Sequence, residues 1–444
     1  MNAVHVRMIA RPTDEPHRSA SHLELLFDLT FVVAIASITH ELAHGISEGH
    51  ALEGLTPFLQ VFFAIWWAWM NFTWFGSAYD TDDVPYRVLT AVQMVGVLVL
   101  AAGVQAAVDE NDYRAVTLGY LVMRIGLVAQ WLRAAVEDPA SRGTAVRYAA
   151  GIMLLEVGWL LRLVLAQAGV LPEASLLPIF VSLVLLELAV PLWAERRLPT
   201  TWHPHHIVER YGLFAIILLG EGVLAASTGV SAAVEAEGVS ASFVTISVGG
   251  LALLFALWWL YFLEPAGEGL ARRRDRFILW GYGHYGIFAA LATLGGGLKV
   301  AVEQNAHHVT VSPVMVGYAV AIPVGVFLVL LWAVHAPIVA QLTIRPAVML
   351  GGAVVILLLP LAAAVTGLAF VVASIAAMCA LIIVATIALR GARHAARATP
   401  PPSEHLTTSE VRRLSNATRS PFWDATRNAS RNRRCSHELT GPRR

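Results

Sequence analysis

Glu221, Arg124 and Glu156 each stand deep inside a long apolar stretch. An ionisable side chain there costs about 2.5–3.5 kcal/mol on insertion scales, so each demands a partner or a water-filled cavity. Glu221 lies between Gly220 and Gly222, which let another backbone approach and leave the carboxylate open to a cation, a proton or an arginine. Arg124 is its natural counter-ion and Glu156 competes for the same arginine, while Arg162, further along the same stretch as Glu156, can snorkel to the outer surface. The plainer reading is a buried Arg–Glu pair that only fixes helix register. Glu24 and Asp28 are four residues apart and share a helix face. Ser21-x-x-Glu24 fits a capping box, whereas Asp28 is a full turn deeper and can accept from His22, a tryptophan indole or a basic group of the seventh apolar stretch. His284, in Gly283-His284-Tyr285, is either a proton relay, with an ordinary pKa near about 6.5, or a satisfied core histidine.

Asp80, Asp82 and Asp83 gather three carboxylates within four residues, a donor set that suits a hard cation. The loop lacks the glycine and terminal glutamate of an EF-hand, and Arg87 close by makes an ion-paired loop the competing reading. His203, His205 and His206 with Glu209 can in principle hold zinc, although solvated interfacial histidines are commoner. Trp66-Trp67-Ala68-Trp69 and Trp258-Trp259 sit too far along their stretches for an interface belt and are expected to pack inside, each indole seeking an acceptor. Cys379 and Cys435 differ too much in surroundings for a disulfide framework. No nucleotide-binding loop, nucleophile motif or haem-type histidine pair occurs, so no cofactor is expected and the metal question is left open.

The elements that carry these groups are membrane spans. Of the 444 residues 57% are hydrophobic and 14% charged, far outside the range of a water-soluble domain. The fold class expected is all-α, a polytopic transmembrane helical bundle of about twelve spans of about 18 or more apolar residues. The first apolar run lacks the pattern of a cleaved signal and reads as a permanent span. Arginines before the first span, in alternate loops and in the tail place both termini in the cytoplasm of a bacterial inner membrane. The expected organisation is a cytoplasmic segment 1–23, a first six-helix half 24–194, a second half 195–390 and a disordered basic tail 391–444. With Arg390 just before it, that tail brings together a dozen arginines and suits anionic lipid headgroups; without an aromatic platform or reader motif it does not point to nucleic acid.

The two halves echo one another. Gly119-Tyr120 and Gly317-Tyr318 are separated by the same interval as Arg147 and Arg345, and Trp66-Trp67 answers to Trp258-Trp259 at a slightly shorter one. Six intervening spans make this a parallel repeat about an axis along the membrane normal. The charges are not repeated, since Ile322 beside Pro323 stands where the first half has Arg124.

Several stretches go beyond generic membrane sequence. Glu24-Leu25-Leu26-Phe27-Asp28-Leu29-Thr30-Phe31-Val32, Trp66-Trp67-Ala68-Trp69 with Asn71 and Thr73-Trp74-Phe75, Tyr79-Asp80-Thr81-Asp82-Asp83, and Glu209-Arg210-Tyr211-Gly212-Leu213-Phe214 running to Leu219-Gly220-Glu221 resemble, in order, the bacterial low temperature requirement A family over roughly residues 18 to 390. Tyr79 and Gly222 depart from its usual Phe and Ser. The resemblance implies a multi-pass membrane protein linked to growth in the cold, without a defined molecular activity. From the residues, the leading expectation is a secondary transporter or permease for an unknown small molecule or ion, with Glu221, Arg124, Asp28, Glu156, Glu24 and His284 in a polar interior beside helices broken at Pro323 and Pro360. The alternatives are a non-catalytic membrane protein supporting cold growth, and an intramembrane enzyme using the Asp80–Asp83 loop with a divalent ion.

Overall fold

A computed structural model describes residues 4–13, 15, 18–235, 240–264, 266–306, 311–339 and 343–398. Among them the regular structure is entirely helical: α1 (His22–Ser47), α2 (Ala51–Tyr79), α3 (Val84–Ala102), α4 (Val104–Asp109), α5 (Arg114–Glu137), α6 (Arg142–Gln167), α7 (Glu173–Ala194), α8 (Pro204–Glu235), α9 (Ala241–Phe262), α10 (Ala266–Arg272), α11 (Phe277–Ala306), α12 (Pro313–His335), α13 (Pro346–Leu358), α14 (Ala363–Thr366) and α15 (Leu368–Ala398), with short 3-10 turns before α11 and between α13 and α14. Eleven helical segments among the described residues are long and apolar enough to cross a bilayer. With α8, a further helix of 32 residues, they make an all-α polytopic bundle. Exposed Leu, Val and Phe along α6, α7 and α9 give it an apolar outer surface, as hydrocarbon requires. The basic tail expected from residue 391 lies outside the described residues beyond Ala398, α15 running on to that point.

Residues 1–387 form one compact unit. In it α1 packs on α2 and α3, α3 on α5, and α5 on α6; later in the chain α8 packs on α9 and α11, α11 on α12, and α12 on α13. The two series join where α1 meets α8 and α11. Closest approach comes at small residues in both: Gly96 of α3 lies against Gly119 of α5, and Gly297 of α11 lies against the Ala319 carbonyl of α12.

The tryptophans part company. Trp66, Trp67 and Trp69 are buried, but Trp258 and Trp259 are 39% exposed, against the expectation that both groups pack inside. α9 turns Leu253, Leu257 and Leu260 inward, which leaves Trp258 and Trp259 on the outer face against Phe255 and Phe262. They lie within the last turn and a half of α9, where an indole suits the headgroup region. The prolines also differ. Pro323 is buried within a continuous α12, whereas α13 gives way to a 3-10 turn at Leu359–Ala362 around Pro360, which has no N–H to continue the ladder. The tight turn between α14 and α15 is made by Gly367 at φ +80°, a conformation that a side chain resists.

Before α1 the chain is a strap across the end of the first helices. The Val6 amide donates to Asp83 (2.8 Å), the Met8 amide to Glu137 (2.6 Å) and the Arg11 amide to the Ala78 carbonyl (2.9 Å). Met8 is fully buried beneath it.

Candidate functional site

The residues singled out in the sequence fall into separate clusters. One joins α1 to α8. Ser21 and Glu24 form the expected capping box, the Ser21 amide donating to Glu24 Oε2 (2.8 Å) and the Glu24 amide to Ser21 Oγ (3.3 Å). Yet Glu24 is also completely buried and paired with Arg210 (3.0 Å), His206 (3.2 Å) and Arg18 (3.7 Å). One turn on, Asp28 accepts a fork of two bonds from Arg210, Nε to Oδ2 (3.0 Å) and Nη2 to Oδ1 (2.6 Å), and a third from the Trp69 indole (2.7 Å). Arg18 extends the network to Asp80 (3.4 Å) and donates to the Gly76 carbonyl (3.0 Å). His206 faces Glu24 instead of His203 and His205, and no group of three or more metal-type ligands occurs among the described residues.

The aspartates after α2 are pulled apart by three arginines. Asp80 goes to Arg18, Asp82, at φ +48°, to Arg87 (2.8 Å twice), and Asp83 to Arg133 (2.8 and 2.6 Å). Asp83 also caps α3 through the Tyr86 amide (3.1 Å). Each carboxylate is thus turned to its own guanidinium, and the three do not face a common point. Burial and the nearby Glu24 charge push the Asp80 carboxyl above the ordinary range. Burial pushes Asp83 the same way, but Arg133 and two backbone amides outweigh it and hold the group below the usual carboxylate range. A depressed folded-state pKa contributes stability above the unfolded value of about 3.9 and loses it as pH falls further. Asp83→Asn is accordingly expected to lower the unfolding midpoint at neutral pH, with the gap to wild type closing below about pH 4; thermal unfolding at several pH values measures it.

A second cluster lies inside α2, α5, α6 and α7. Arg124 is not beside Glu221; it bonds the Tyr120 hydroxyl and pairs with Glu187 (3.4 Å). Glu187 accepts in addition from the indoles of Trp67 (2.8 Å) and Trp159 (3.2 Å) and from the Tyr120 hydroxyl (3.2 Å). The sequence reading passed over Glu187, although its signal was plain: it is the one charged residue between Glu173 and Glu195. Glu156 faces Arg124 and Glu187 electrostatically, but neither of its oxygens has a hydrogen-bond partner.

Glu221 belongs to a third place. Because α8 begins at Pro204, Glu221 lies about 25 Å along it, and Gly295 of α11 comes against its Cβ (3.5 Å from an added methyl). It lines an open cavity of about 620 Å³ with Thr39, His40, Glu41, Gln105 and Lys299. There Lys299 hydrogen-bonds His40 Nδ1 and acts on Glu221 through its charge. His284 stands apart from all three clusters. Fully buried in α11, it donates from Nδ1 to the Trp280 carbonyl (2.7 Å), its ring edge-on to Tyr211 and 6.0 Å from that of His335.

The family-like stretches quoted from the sequence thus converge on one piece of architecture, since Glu24 and Asp28 of the first are paired with Arg210 of the last. A family model described as bacterial low temperature requirement A protein matches residues 19–388. The chain belongs to that family. A curated relative, the uncharacterized protein RA0937 of Rhizobium meliloti (strain 1021), is similar at 26% identity over 316 residues, 66% of this chain and 71% of that protein. No solved structure matches the chain. As a member of the low temperature requirement A family it is a multi-pass membrane protein, and the Glu24–Asp28–Arg210 network sits on the stretches that carry the resemblance.

Proposed function

We propose that this protein is a secondary carrier or permease for a small polar or charged solute, working between Glu221 at one end of the α1–α8–α11 junction and the Asp28–Arg210 pair at the other. The observation that carries the reading is the contrast between those ends. Around Glu221 the junction opens into a cavity holding both an acid and an amine; about 16 Å away along α1 and α8, Asp28, Arg210 and Glu24 are buried and bonded to one another. Between them the buried side chains of Phe31, Phe214 and Phe288 contribute an apolar layer. An open charged mouth above a dry plug and a closed ion network is the arrangement of a carrier seen from one side.

The parallel six-plus-six repeat is part of this reading. Its support is the recurring packing order, α1 to α6 against α8 to α13, and the two small-residue contacts at Gly96–Gly119 and Gly297–Ala319. Twelve spans, an inner-membrane location and cytoplasmic termini complete it, supported by the arginine-rich alternate loops.

Reconstitution tests it. Proteoliposomes under sodium, potassium and proton gradients, offered a panel of amino acids and organic cations, are expected to show flux that Glu221→Gln lowers more than about tenfold, the size of one lost charge-assisted contact. The unfolding midpoint should not move. Full flux by Glu221→Gln removes Glu221 from the site, and absence of flux under every gradient overturns the carrier.

The second reading, a non-catalytic membrane protein, draws on the completeness of the Glu24–Asp28–Arg210 network, which also suits a fixed scaffold. The enzyme reading finds less support, because Asp80, Asp82 and Asp83 each already hold an arginine.

A further inference from the structure

The cluster inside α2, α5, α6 and α7 has one cation for two carboxyl groups. Arg124 faces Glu187 of α7 and Glu156 of α6, and the other titratable groups turned toward them are Tyr120 of α5 and, toward Glu187, Tyr282 of α11. Glu187 takes everything the cluster offers a carboxylate: two indole N–H groups, a phenol O–H and the guanidinium. Glu156 is 6% exposed and both its oxygens lack a partner. An ionised carboxylate so placed would be buried without a single hydrogen bond, at a cost of several kcal/mol.

Above the cluster there is a way out. A pocket of about 40 Å³, lined by Tyr120, Trp159, Phe180, Gln60, Tyr113 and Arg162, shares the last three residues with an open cavity of about 850 Å³. The smaller space is large enough for a water or two, and Gln60, Tyr113, Thr117 and Arg162 bring polar groups to its mainly apolar lining. Two of its lining residues, Tyr120 and Trp159, donate to Glu187. Trp159 is also one helical turn from Glu156.

We propose that Glu156 is a proton-binding site, neutral at rest and exchanging its proton with water in the Tyr113–Arg162 cavity. On release the O–H bond of Glu156 breaks, the proton passes to a water, and the new carboxylate pairs with Arg124, whose Nε and Nη1 have no acceptor at rest. Glu187 is the switch for this choice, because it holds Arg124 away from Glu156. The site involves no transported solute, so it stands or falls independently of the carrier reading.

Infrared spectra of the reconstituted full chain at neutral pH, in water and deuterium oxide, test it through the protonated-carboxyl stretching band. Glu156→Gln should remove part of that band and leave the carboxylate bands unchanged, with an unfolding midpoint close to wild type because glutamine mimics the neutral acid. Glu187→Gln should remove the same part of the acid band with no net change in carboxylate intensity, because Glu156 ionises as the partner of Arg124 while the Glu187 carboxylate is lost. Loss of carboxylate intensity in Glu156→Gln overturns the proposal, as does an acid band unaltered in both variants.

Discussion

Arg210→Met is expected to destabilise the protein by about 3–5 kcal/mol, the range for breaking a buried ion pair from one side. Arg210 is wholly buried and serves two carboxylates at once, with a two-bond fork on Asp28 and a third contact at Glu24. Without it two charges lie together in α1, with Arg18 at 3.7 Å and His206 left to answer Glu24 and only the Trp69 indole on Asp28. Lysine should restore little, since an ammonium cannot reproduce the planar fork. The combination Glu24→Gln, Asp28→Asn and Arg210→Met should recover most of the loss, because it leaves neither α1 position with an uncompensated buried charge. Thermal unfolding in detergent of the four proteins reads the whole series, and a single variant as stable as wild type would mean that Arg210 is not the counter-charge of α1.

Gly119→Val is the second large effect, a loss of about 3 kcal/mol or more. A Cβ on Gly119 would fall against the backbone amide of Leu100 and 2.6 Å from the Gly96 carbonyl oxygen. Backbone cannot rotate away as a side chain can, so α3 and α5 must separate and give up the contacts on both sides. Gly297→Val should do the same to α11 and α12 through the Ala319 carbonyl. Gly351→Val, where an added Cβ meets nothing within 4 Å, is the control and should be tolerated. Yields of folded protein and unfolding midpoints decide it; a harmless Gly119→Val would show that the two helices do not lie backbone to backbone.

How far these features could be read in advance depends on whether the signal is local. The spans are, because about 30 Å of hydrocarbon imposes a run of apolar residues on each. So are the capping box at Ser21 and Glu24 and the turn at Gly367. Buried charge marked Asp28, Arg124 and Glu156 as needing partners, but hydropathy carries no information about which helices are neighbours. Arg124 was therefore matched to Glu221 when its partner is Glu187, the acid of an adjacent helix. Arg210 stands in the sequence only as part of a family-like stretch, and its burial between two carboxylates depends on α8 starting at Pro204 and lying against α1. The Asp80–Asp83 loop looked like one ligand set because sequence shows proximity along the chain; three arginines from different segments give each carboxylate a separate direction. Trp258 and Trp259 were misplaced for a related reason, since which face of α9 turns inward is decided by its neighbours.

The bond between α1 and α8 sets an order on biogenesis. The first helix leaves the ribosome with Glu24 and Asp28, and their cation is encoded 182 residues downstream of Asp28. Until that segment has been inserted, the leading helix must be sheltered, with its acids protonated, held by the insertion machinery or drawn back toward headgroups. Truncated chains ending before Pro204 should therefore be poor substrates for stable integration and good ones for membrane proteases, even though every one of their own spans is apolar enough to stay.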